Sequence, residues 1–141
     1  MFKKFFKKGK KNNISDKNVL IASLLIHAAK IDENYTEEER KIIKKAIMEI
    51  DKKNPEEAEK ILESAEKKEQ ESNQIIEFTK EIKKYPMDFR MKIIEIIWKI
   101  VYSDGTNDSY EASLIRRVCG LLYISDKDNG IIKTKIQNLL K

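Results

Sequence analysis

The chain reads as an all-α domain, and three observations lead there. Charged residues make up 38% of the 141 positions against Gly 4 and Pro 2, a composition rich in good helix formers and poor in the turn chemistry of a sheet. Apolar residues recur at helical spacing, with no competing stretch of strand alternation. Finally, residues 24–47 (LLIHAAKIDENYTEEERKIIKKAI) and 96–119 (IIWKIVYSDGTNDSYEASLIRRVC) repeat one helix-loop-helix pattern without a gap at an offset of 72. Two copies are too few for a solenoid, so the expectation is one compact domain of about seven helices with two pseudo-repeated halves.

The chain opens on a segment unlike the rest. Residues 1–13, MFKKFFKKGKKNN, hold six lysines and no acid, which leaves 23 basic against 24 acidic residues in the remainder. The net charge of +5 therefore belongs to this tail. Phe2, Phe5 and Phe6 fall at spacing i, i+3, i+4 among Lys3, Lys4, Lys7 and Lys8. Two helical turns there would present an aromatic face flanked by cations, which suits an anionic membrane surface. A solvated tail is the alternative. Residues 14–141 are expected to form the helical domain.

Within that domain Ser15 or Asp16 can cap a first helix carrying Val19, Leu20, Leu24, Ala28 and Ile31 on one face. Thr36-Glu37-Glu38-Glu39 is a capping box that opens the second helix, in which the threonine hydroxyl and Glu39 each serve the other's backbone amide. Asn54-Pro55 starts a third, with proline at the first helical position where its missing donor does no harm. The charge-rich stretch that follows breaks near Ser72 and Asn73 into two helices, whose sparse apolar residues (Ala58, Ile61, Leu62, Ala65, then Ile75, Ile76, Phe78, Ile82) cover one side of the core. Tyr85-Pro86 restarts the chain for the most hydrophobic helix, through Ile93, Ile94, Ile96, Ile97, Trp98, Ile100 and Val101, expected at the centre. The sixth runs from Asp108, its cap, to about Leu122. Ser125 or Asp126 begins the last, with Ile131, Ile132, Ile136, Leu139 and Leu140 facing inward and Gly130 weakening its first turns.

In each repeat an apolar helix runs into an aspartate, Asp32 or Asp104, a short polar loop follows, and a glutamate, Glu39 or Glu111, stands at the head of the next helix. This pairing resembles the signature of the tellurite-resistance protein B family, the TerB-like fold, over roughly residues 15–141. The second copy keeps the Asp104-Gly105 dipeptide typical of that family, whereas the first has Glu33 in the glycine position. The resemblance implies an all-helical cytoplasmic domain associated with tellurite and other chemical stress. For the family, metal-ion binding and membrane-linked stress complexes have been proposed, with no catalytic mechanism established.

Two readings of the paired acids stay open. Clustered carboxylates are hard oxygen ligands suited to a divalent cation such as Ca²⁺ or Mg²⁺, which makes Asp104, Asp108 and Glu111 one candidate cluster and Asp32, Glu37 and Glu39 a second. Alternatively, Glu39 and Glu111 satisfy first-turn amides and the aspartates bond loop amides, which explains the spacing without an ion. Neither loop matches the twelve-residue calcium motif.

Other chemistry finds little support in the residues. His27 is the lone histidine, beside the apolar face. Cys119 sits on the stripe Leu114, Ile115, Val118, Leu122, reads as a buried thiol, and has no second histidine to activate it. None of the four glycines lies in a phosphate-cradling loop, the domain shows no basic stripe for nucleic acid, and no run approaches a membrane span. The expected function is thus a non-catalytic interaction or scaffold module of a bacterial stress response, with no cofactor, protein partners in a stress-response complex, and a cytoplasmic location peripheral to the inner membrane. An ion-sensing protein built on the two acidic loops is the alternative.

Overall fold

The first helix, α1 (residues 17–29), is enclosed on nearly every side. Val19, Ile21, Ala22, Leu24, Leu25, Ile26, Ala28 and Ala29 are buried, and so are Asn18 and Ser23. The sequence pattern leads one to expect a single apolar face that includes Leu20 and Ile31, but these two are only partly buried. A helix that is hydrophobic on most sides belongs inside a domain. Its closest neighbour elements follow from named contacts: Ser23 donates to the Ala65 carbonyl at 3.3 Å, His27 stacks obliquely on Phe78, and Lys17 sits 4.5 Å from the centre of the Tyr85 ring.

The computed structural model describes residues 17–31, 35–71, 75–103 and 109–139, without the side chains of Asp51 and of residues 109–111. The tail 1–13, the caps expected at Ser15 or Asp16 and at Asp108, and Leu140 lie outside the described residues. Six helices follow α1: α2 (Glu37–Asp51), α3 (Pro55–Glu71), α4 (Ile75–Ile82), α5 (Met87–Ser103), α6 (Ser109–Leu121) and α7 (Asp126–Leu139). No strand occurs among the described residues, and none of their helices is long and apolar enough to cross a membrane.

Local chemistry sets the boundaries. Thr36 and Glu39 form the expected reciprocal cap of α2. At its other end Lys52 takes the left-handed conformation (φ 48°), so that its amide and that of Lys53 both return to the Met48 carbonyl. Asn54 caps α3 by accepting from the Glu57 amide at 2.8 Å, with Pro55 at the first helical position. Ser125 caps α7, accepting from the Asp128 amide at 3.1 Å. The end of α6 is a Schellman turn in which Ile124 donates back to Cys119 at 2.8 Å, with Tyr123 left-handed at φ 59°. Arg90 reaches this turn from α5 and donates to the Leu122 carbonyl at 2.7 Å, a cation placed against a helix C-terminus.

Packing follows the apolar stripes. α5 touches α2, α6 and α7, α2 also packs on α3, and α4 and α7 each pack on α6. Ile93, Ile94, Ile97 and Ile100 of α5 are fully enclosed, each contributing about 1.5–3 kcal/mol by leaving water. Trp98 is buried as well, donates through Nε1 to Asn129 Oδ1 of α7 at 2.9 Å, and stacks on Tyr102. Positions 72 apart share their burial: Leu24, Leu25, Ala28 and Ala29 in α1, and Ile96, Ile97, Ile100 and Val101 in α5, are all core. α7 departs from the expected pattern. Only Ile132 and Ile136 are buried, while Ile131 and Leu139 are 56% and 63% exposed. The helix lies on the outside of the bundle, so a one-turn stripe meets α5 and α6, and Ile131, about 100° around the axis from Ile132, faces away. In α4 the same geometry buries Ile75, Phe78, Thr79 and Ile82 and leaves Ile76 half exposed.

Candidate functional site

The first acidic loop is described from Tyr35 onward. Glu39, at the head of α2, is buried, and its Oε1 accepts from the Thr36 amide at 2.8 Å and from the Thr36 hydroxyl at 3.1 Å. The same hydroxyl accepts from the Glu39 amide at 3.1 Å. Thr36 thus supplies two donors to this carboxylate, which sits where the helix dipole favours negative charge. Glu37, two residues earlier, is exposed, and positions two apart on a helix do not share a face. Asp32, Asp104 and Asp108 lie outside the described residues, as does the side chain of Glu111. Of the six acids weighed as metal ligands, the structure therefore describes Glu37 and Glu39 alone, and it does not bring these two together. No three His, Cys, Asp or Glu side chains converge among the described residues in a way that could hold a metal ion.

The strongest polar constellation lies just behind this loop, between α2 and α3. Arg40 donates to Glu59 through Nη1 at 3.1 Å and Nη2 at 2.6 Å, and to Glu66 through Nε at 2.9 Å. Tyr35 adds its hydroxyl to Glu66 at 2.9 Å, and Lys44 approaches Glu59 at 3.2 Å. Hydrogen bonding from Arg40 brings the Glu59 carboxyl down to about 2 against the opposing effect of its desolvation, with Lys44 assisting. Burial first, then the bond to Glu66, raises the Tyr35 phenol, and the two glutamates hold the Arg40 guanidinium firmly protonated. Further along α3, Glu69 pairs with Lys30 at 2.8 Å and lies 3.4 Å from His27 Nδ1. Every charge in this network has an answering partner, so it ties α1, the loop and α2 to α3; it offers no poised base or nucleophile. Sequence reasoning missed it. The available signal was the row Glu59, Glu66, Glu69 along one side of α3, at spacings of seven and three that return to the same helix face.

Two other groups complete the inventory. The Cys119 thiol is 1% exposed, and burial, with Asp126 adding to it, pushes its pKa up to about 12, far from the thiolate that nucleophilic chemistry needs. Between α2 and α5 a groove of about 390 Å³ is lined by Glu38, Ile42, Lys45, Lys99 and Tyr102 among others. Tyr102 is one of its lining residues, and burial of the hydroxyl raises its pKa, partly offset by Gln137.

A family model described as Tellurite resistance protein TerB matches residues 18–134, a span that takes in all of α2 to α6 and most of α1 and α7. No curated protein and no solved structure matches the chain.

Proposed function

This chain belongs to the tellurite resistance protein TerB family, its match running over residues 18–134, and from that premise we propose that it works as a non-catalytic interaction module of a bacterial tellurite or general chemical stress response. Its partners would be proteins of a stress-response complex. The observation that carries this reading is the state of Glu39: the buried glutamate at the head of α2 is engaged in a capping box, as a structural acid is. The saturated Arg40 network and the raised Cys119 pKa support the same view, since neither supplies an activated group. The tail 1–13, with its interleaved lysines and phenylalanines, would hold the module at the cytoplasmic face of the inner membrane.

Calorimetric titration of the full chain with Ca²⁺, Mg²⁺, Mn²⁺ and Zn²⁺, beside an Asp104→Ala, Glu111→Ala double variant of verified helicity, tests the reading. No saturable heat, with a variant that only melts earlier, is the expected result. Micromolar binding that disappears in a still-folded variant would instead make the chain a divalent-ion sensor acting through its acidic loops. Sedimentation with phosphatidylserine vesicles tests the tail: retention is expected for the parent and loss for Phe2→Ser, Phe5→Ser, Phe6→Ser.

A further inference from the structure

The surface between α4 and the end of α6 carries two local costs that the described structure does not recover. Gly120 stands inside α6, where alanine would favour the helix, yet a Cβ there would meet nothing within 4 Å. No packing demand within the described chain calls for glycine. Three residues on, Tyr123 occupies the left-handed position that glycine or asparagine usually fills, and it is 66% exposed, so burial of its ring does not offset the strained backbone. Both residues line one groove of about 430 Å³, a volume in the range of sites that accept a ligand group. Ile76, half exposed, forms its other wall with Lys80 and Lys83.

The charge around this groove has one sign. Lys80 on α4 and Lys83, just past its end, line the groove with Ile76, whereas Glu81 pairs with Lys84 at 3.2 Å. One turn back from Gly120 and Leu121, Arg116 and Arg117 are exposed on α6. Among the described residues no carboxylate pairs with any of these four cations. This contrasts with α3, whose partly buried Glu59 and Glu66 and buried Glu69 are each matched by a cation.

We propose that the α4–α6 groove is a docking site for an acidic protein segment bearing an apolar anchor residue, the anchor entering between Ile76 and Tyr123 over Gly120 and the acids meeting Lys80, Lys83, Arg116 and Arg117. Glycine at 120 lets a partner backbone approach the helix closely, and Tyr123, exposed at the groove, offers a ring of the kind enriched at binding hot spots once a partner covers it. The concavity favours a peptide over a bilayer, since a flat headgroup plane cannot fill a recess sunk between two helices. The lysine-rich tail of this chain is a poor occupant on charge grounds. This inference rests on the reading of the chain as an interaction module and names the surface and partner chemistry of that module.

Fluorescence anisotropy of the full chain with a labelled peptide of alternating Glu and Asp around a central Leu-Phe pair is the test. The parent should bind, and a Lys80→Glu, Lys83→Glu variant and a Tyr123→Gly variant should each bind about tenfold more weakly. Tyr123→Gly fits the left-handed turn without strain, so it should melt no earlier than the parent, which separates lost binding from lost folding. Absence of parent binding overturns the proposal. So does capture of phosphatidylserine vesicles through Lys80 and Lys83 without peptide binding, or self-association that Tyr123→Gly abolishes. Peptide binding unchanged in both variants removes this groove and leaves the module reading standing, whereas a calorimetric ion site removes the module reading on separate evidence.

Discussion

Arg40 and Glu59 meet fork to fork across the α2–α3 interface, two guanidinium nitrogens on two carboxylate oxygens at 3.1 and 2.6 Å. The pair predicts acid sensitivity. The folded-state pKa of Glu59 is about 2 against an ordinary 4.5, so its contribution is fully present above 4.5 and is lost as pH falls through about 2. Urea midpoints measured across that window should fall with acid in the parent and fall less steeply in Arg40→Met. At neutral pH the same substitution should cost about 1–2 kcal/mol, as loss of charge-assisted hydrogen bonds does at a partly exposed site.

Thr36 and Glu39 predict a local effect. Thr36→Ala removes the acceptor for the Glu39 amide and should lower stability by about 1 kcal/mol, whereas Thr36→Ser, which keeps the hydroxyl, should lie close to the parent in thermal melts.

Legibility in the sequence tracks the distance over which each interaction acts. The capping box at Thr36, the helix start at Asn54-Pro55 and the core of α5 were readable because each depends on residues within one or two turns. The Arg40 network was not, because its partners lie 19 and 26 positions away and meet only when α2 packs on α3. Ile131 and Leu139 were misread as core because periodicity marks the apolar positions of a helix without saying how much of its circumference a neighbour covers. The stop of α6 had no glycine or asparagine to announce it, so left-handed Tyr123 went unseen in the apolar run Leu121-Leu122-Tyr123-Ile124. The capping box of Glu39 was legible because it is a four-residue motif, whereas the sequence left the choice between cap and metal ligand open.

Cys119 should be silent in the folded state. With the thiol 1% exposed and its pKa raised to about 12, disulfide reagents at mildly alkaline pH should modify it only as fast as the domain opens. Rapid modification without denaturant would contradict the packing of α6.

Gly130 offers a stabilising change. It lies inside α7, is exposed, and a Cβ there would meet nothing within 4 Å. Gly130→Ala should therefore raise stability by about 0.5–1 kcal/mol, visible as a higher melting temperature with unchanged helicity.

Trp98 is the single tryptophan of the chain, enclosed beside Tyr102 and held by Asn129 of α7. The domain thus carries its own optical label at one defined seam. Intrinsic emission excited through the indole should be blue-shifted while α7 is seated on α5, and a red shift that precedes the loss of far-ultraviolet ellipticity would time the departure of the last helix separately from the melting of the bundle.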